Sequence, residues 1–246
     1  MAFVYRSSFA CAPLVGQPDY VENLLALFRQ ALEKNTHLRL SFLRLYLGDA
    51  QASIDTISTE CLHGFYKSFD AFLAGHLPTV CAMPMEKEEY ASTSRPHSGP
   101  ITILHVSETL LQAFQRSSES ASRLCPLLAF LVLATISRDL AHVYNFFLGP
   151  NNTPFHLSGA VGTEVVSKIG LDGNVERDTG NKETMVKSGH SGYVQQRDSL
   201  GGIVHVVFDR NDAGIWARLT RIEVEDCDSR IFYEISKYFI RRRLSI

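Results

Sequence analysis

Arg138, Asp139 and His142 close an otherwise apolar stretch, residues 127–142, LLAFLVLATISRDLAH. Arg138 and His142 stand four apart, so a helix puts them on one face, and Asp139 is an i,i+3 neighbour of His142. A guanidinium binds an anion or a developing oxyanion, while an imidazole and a carboxylate move protons near neutral pH. Leaving such charges unpaired in a protein interior costs several kcal/mol each. The cluster therefore needs ion pairing, solvent in a cleft, or a ligand. The bland alternative is a paired helix end with His142 as a satisfied core histidine.

The element that must carry these residues is a buried central helix over 121–148. No glycine interrupts that span, and Pro126 falls near a first turn, where its missing N–H is harmless. Ser117, Ser118, Ser120 and Ser122 are N-cap candidates, and Gly149-Pro150 supplies a stop. Residues 127–136 are apolar on nearly every side, which reads as burial all round. That run is shorter than the ~20 residues needed to cross a bilayer.

Around this helix the chain reads as follows. Asp19 caps a helix over Tyr20–Lys34. Residues 37–47 alternate apolar and polar, predicting a strand with a bulge, and 49–74 predict a second helix weakened by Gly64. The proline-bearing stretch 76–100, with Glu86-Lys87-Glu88-Glu89, reads as a long exposed loop. A strand over 101–106 and a helix or turn over 109–116 lead to the central helix. The glycine-rich stretch 159–192 reads as a lid or binding loop, with a small hairpin at 163–175. A short helix fits within 192–202. Residues 203–208 and 215–224 form a β-hairpin, and an amphipathic helix over 229–244 closes the chain. The expected class is α+β, dominated by helices, in a single domain 1–246. Its N-terminal helix-and-strand part covers 1–120 and its site-bearing part covers 121–246.

A hydrophobic fraction of 45%, a charged fraction of 20% and a net charge of −2 describe a globular chain with no electrostatic reason to bind nucleic acid. Arg241-Arg242-Arg243 reads as a solvated helix end. The cysteines, Cys11, Cys61, Cys81, Cys125 and Cys227, are dispersed with no CxxC, which suggests reduced thiols in an intracellular protein. No signal peptide is evident in the first residues, so the expected location is cytoplasmic. No P-loop, GxGxxG or GxSxG is present, and Gly189-His190-Ser191-Gly192 has no preceding strand to make it a nucleophile elbow.

Residues 101–205 resemble a fungal group of zincin-like metalloprotease-type proteins. That pattern runs strand, buried helix ending in H-E-L-A-H, G and T-P, G-E-[SA]-G, a Glu, and a G-G pair. The counterparts here are Arg138-Asp139-Leu140-Ala141-His142, Gly149, Thr153-Pro154, Gly189-His190-Ser191-Gly192, Gln196 or Gln195, and Gly201-Gly202. The resemblance implies a zincin-like fold and a metalloprotease site in which two His and an acidic third ligand hold Zn²⁺ and a Glu is the base. Here Arg138 stands at the first ligand, Asp139 at the base and Gln at the third ligand, leaving only His142. The expectation is a chain with no metal and no cofactor.

Drift alone would fill an old metal cavity more cheaply with apolar side chains than with arginine. The polar replacements therefore point to a repurposed scaffold performing an acid/base step on a small organic molecule. An isomerisation, cyclisation or dehydration in specialised metabolism suits the residues. Arg138, Asp139, His142 and His190 are the expected catalytic residues, and Tyr144, Tyr193, Gln195 and Gln196 the expected substrate-binding ones. His190 is also a plausible turn residue, and both tyrosines are plausible packing residues. His105 and His156 are rim candidates, whereas His205 reads as structural. Two alternatives stand beside this reading. One is a non-catalytic pseudoprotease binding a protein partner, or its own copy; the other is a zinc hydrolase rebuilt on Asp139, His142 and His190.

Overall fold

A computed structural model describes residues 5–6, 19–48, 53–85, 90–93, 103–149, 191–208, 219–226, 229 and 231–235. Its class is α+β: helices together with two small sheets. The 150–190 stretch, with His156, His190 and the suggested 163–175 hairpin, lies outside the described residues.

Helix α1, Tyr20–Lys34, starts where Asp19 accepts the Glu22 N–H at 2.9 Å, and its apolar stripe Val21, Leu24, Leu25, Phe28 and Leu32 is buried. The strand expected at 37–47 is instead two short helices, α2 Thr36–Leu40 and α3 Leu43–Leu47. Two local signals outweigh the alternation. Asn35 caps α2 by accepting the Leu38 N–H at 3.0 Å, and Gly48 ends α3 with φ 69°. Phe42, Leu43 and Leu45 are then fully buried.

A 3-10 turn, Ile54–Thr56, and helix α4, Thr59–Gly75, replace the single helix expected over 49–74. Phe65, Phe69 and Phe72 of α4 meet Phe42, Tyr144 and Phe147 in a ring cluster with centroid spacings of 5.1–6.1 Å. Burying one such ring contributes about 1.5–3 kcal/mol. Gly64 has a role the sequence reading missed: a Cβ there would sit 2.6 Å from the Tyr46 hydroxyl, so the glycine admits that ring.

The stretch read as a loop over 76–100 contains two strands, β2 Thr79–Met83 and β3 Ala91–Thr93. Pro78 and Pro84 bracket β2 instead of breaking it, each outside the hydrogen-bonded ladder. With β1, Tyr5–Arg6, and β4, Ile103–Ser107, they form a sheet ordered β1-β2-β4-β3. β1, β2 and β4 are parallel, and β3 is antiparallel to β4. Helix α5, Glu108–Glu119, then leads to α6, Cys125–Leu148, with Pro126 in its first turn. α6 starts four residues later than expected, because Ala121 turns with φ 49° and Ser122 takes the Leu124 N–H at 3.3 Å. It is long and apolar enough to cross a membrane, but 89% of its apolar window is buried inside this protein.

Helix α7, Ser191–Leu200, packs on α6 and leads to β5 Ile203–Phe208, β6 Leu219–Glu225 and β7 Phe232–Glu234, an antiparallel sheet in that order. The helix expected over 229–244 is therefore wrong at its start. Residues 232–234 extend and pair with 223–225 of β6, and residues beyond 235 lie outside the described residues.

His205 on β5 is buried, with Nε2 3.0 Å from Glu225 Oε2 and its ring edge-on to Phe232 at 5.3 Å. Burial pushes its pKa down from 6.5, and Glu225 only partly offsets this. Between the folded and unfolded pKa values the unfolded chain binds more protons, so stability rises with pH and is lost as pH falls below 6.5. We expect the urea midpoint to drop between pH 7.5 and pH 5.5, and the drop to shrink in His205→Gln. Equal drops in the two proteins would refute the assignment.

Candidate functional site

The site forms where α7 lies antiparallel against the C-terminal half of α6. The direction follows from the contacts: Ser191 meets His142, whereas Gln195 meets Ser137. The approach is close because residue 192 has no side chain. A Cβ there would lie 2.5 Å from Arg138 Cγ, 3.0 Å from the Arg138 carbonyl oxygen and 3.0 Å from His142 Nε2. Arg138 and the Nε2 edge of His142 are thus packed directly against Gly192.

Arg138 Nη2 lies 3.3 Å from Asp139 Oδ2; the Asp139 side chain is buried at 1% exposure, and the Arg138 side chain is 23% exposed. The buried anion is thus compensated by the neighbouring cation. The other Asp139 oxygen, Oδ1, makes no hydrogen bond among the described residues. On the far side of the imidazole, the Ser191 hydroxyl lies 2.6 Å from His142 Nδ1, and Ser191 is fully buried.

The two glutamines are both buried but occupied differently. The Gln195 amide nitrogen reaches the hydroxyls of Ser137, Ser41 and Ser199 at 2.8, 3.1 and 3.2 Å. Its Oε1 is buried with no hydrogen-bond partner. Gln195 therefore ties α7 to α6 and to the α2–α3 junction. Gln196 stands one turn beyond Gly192 and shares its helix face. Asp198 strengthens the same attachment by pairing with Arg44 of α3 and, at 3.5 Å, with Arg197. Burial raises the Asp198 pKa despite both cations.

Tyr144 lies away from this cluster. It is fully buried among Phe42, Phe69 and Phe72, and its hydroxyl donates to Ser68 Oγ at 3.4 Å. Burial raises its pKa strongly. Packing, not substrate contact, is its role here. Tyr193 is half-buried on α7, and His105 is half-buried on β4 with its Nδ1 lacking a partner. His190 lies outside the described residues. Sequence reasoning missed Ser191 as a partner for His142. The only signal was a Ser-Gly pair opening a short polar helix.

Zinc does not fit these residues. Arg138 cannot ligate, and His142 Nδ1 is bonded to Ser191. The Gln195 amide is committed to three serines. Among the described residues no group of three or more His, Cys, Asp and Glu converges to hold a metal ion. No family model, no curated protein and no solved structure matches this chain.

Proposed function

We propose that the chain is a zincin-like scaffold turned to metal-independent acid/base chemistry on a small carbonyl compound. A dehydration, isomerisation or cyclisation in specialised metabolism is the expected reaction class. The observation that carries this reading is the convergence of Arg138, Asp139 and His142 with Ser191 across the α6–α7 contact. Arg138 holds an anionic oxygen of the substrate, and Asp139 Oδ1 takes a proton from the adjacent carbon. His142 supports the charge that develops on the carbonyl oxygen.

The probe is α-proton exchange of small keto acids in D2O, followed by NMR, on protein shown by metal analysis to carry under about one-tenth equivalent of zinc. The wild-type protein is expected to accelerate exchange. Arg138→Ala should raise KM, and His142→Ala should lower kcat by 10²–10⁴-fold, the range of a single acid/base or oxyanion-hole group. Full activity in both folded variants, or stoichiometric zinc, would overturn the reading. A second reading, a non-catalytic binding protein, draws on the tight seating of Gly192 against Arg138 and His142. It predicts no exchange by the wild-type protein.

A further inference from the structure

We propose that Cys81, Met83 and His105 form a Cu(I) site on the outer face of the sheet β1-β2-β4-β3. The site lies on other elements than the α6–α7 cluster and does not depend on the reading given above. Strand register brings the three residues together. Cys81 and Met83 stand two apart on β2, so their side chains leave the same face, about 6.6 Å apart along the strand. His105 on β4 is the direct partner of Cys81 in the parallel β2–β4 pair, one strand spacing of about 4.8 Å away. The alternate residues Val80, Leu104 and Val106 are fully buried in the core. Cys81 and His105 are half-buried on the opposite face, and Met83 is 39% exposed. A parallel sheet is ordinarily covered on both faces, with apolar side chains throughout. Here two sulphurs and an imidazole take outward positions, open to an ion arriving from solvent.

The donors are uncommitted. Cys81 is a free thiol. His105 Nδ1 is buried without a hydrogen-bond partner, so it has lost water and gained nothing in return. Coordination of a metal ion would satisfy it. The Met83 thioether sits on an unbranched stem with three rotatable bonds, so its sulphur can close on an ion between Cys81 and His105.

The donor set selects the ion. Thiolate and thioether are soft ligands that favour Cu(I), whereas zinc takes thiolate, imidazole or carboxylate in a tetrahedron. Among the described residues no third His, Cys, Asp or Glu joins Cys81 and His105 to complete a zinc set. Charge points the same way. Arg6 of β1 is the register partner of Cys81 on its other side and is exposed. Cu(I) bound by one thiolate is neutral, but a divalent ion there would keep a positive charge next to arginine. Binding forms a Cu–S bond at Cys81 and releases the thiol proton to solvent, with no electron transferred.

The test titrates the full, reduced, metal-free chain with Cu(I) under anaerobic conditions against the chromogenic chelator bicinchoninate. One equivalent should be withdrawn from the chelator, and X-ray absorption should show two sulphurs and one nitrogen on copper. Cys81→Ser should abolish that equivalent. Met83→Leu and His105→Gln should each weaken binding by at least about tenfold, since even an outer-shell partner of a metal ligand is worth about 10–100-fold. Leucine is a conservative replacement at exposed Met83, and an unchanged melting temperature checks that this variant keeps the fold. Cys125→Ser, on α6, should leave binding unchanged. No withdrawn equivalent, an all-sulphur copper environment, or binding indifferent to both Met83→Leu and His105→Gln would overturn the proposal. A stoichiometric zinc complex that needs Cys81 and His105 but not Met83 would overturn it too.

Discussion

In a Gly192→Ala variant the melting temperature is expected to fall by roughly 2–12 °C, and exchange activity to fall with it. The temperature range follows from about 1–3 kcal/mol for overpacking a well-filled site and ~2–4 °C per kcal/mol at this chain length. The added methyl would meet Arg138 Cγ at 2.5 Å, the Arg138 carbonyl oxygen at 3.0 Å and His142 Nε2 at 3.0 Å. The arginine side chain can swing, but the carbonyl belongs to the core helix and cannot. Relief must therefore come from α7 lifting away from α6. That motion stretches the Ser191–His142 bond and strains the three-serine anchor of Gln195. Stability and the proposed exchange should fail together, because both use the same contact. Thermal unfolding with parallel exchange rates checks this. An unchanged melting temperature would show that α7 does not press on α6 at this point.

Gly202→Ala is expected to be the most damaging single-methyl substitution among the described residues. Its Cβ would fall 2.0 Å from the Glu225 carbonyl oxygen and 2.7 Å from the Glu225 carbonyl carbon. Both atoms are backbone of β6, so no rotamer change relieves the clash. The cost should exceed the roughly 1–3 kcal/mol usual for overpacking. Gly201→Ala is the control. Gly201 has φ 83° and nothing near its Cβ position, so alanine there bears only left-handed strain of roughly 1–2 kcal/mol. Denaturant unfolding of the two variants, with amide exchange across β5 and β6, separates the mechanisms. Equal stability of the pair would contradict the close β5–β6 approach. The Gly-Gly pair is thus explained by structure: Gly201 ends α7, taking an N–H bond to the Arg197 carbonyl at 2.9 Å, and Gly202 starts the sheet.

Where the local pattern was strong, the sequence was readable. The Asp19-capped α1 and the apolar α6 follow from spacing and termini alone, as do β4 and β5. The errors share a cause. Alternation at 37–47 matched a strand, but a cap at Asn35 and burial of Phe42, Leu43 and Leu45 favoured helix. Residues 232–234 have helical-looking neighbours but pair with β6, and a partner strand cannot be seen from one segment. β2 was hidden by flanking prolines that delimit it.

The sequence by itself determined the central helix and the polar trio at its end. It also determined that Arg138, a permanent cation, cannot serve as a metal ligand, because charge and ligand chemistry are properties of single residues. Only the tertiary structure decided which residues answer that trio. Ser191 and Gly192 come from a separate helix some fifty positions away, and Gln195 is turned to serines of α6 and the α2–α3 junction. Tyr144, two residues beyond His142, falls instead among phenylalanines. Contacts between α6 and α7 depend on the packing of two helix faces, and no spacing within either segment encodes them.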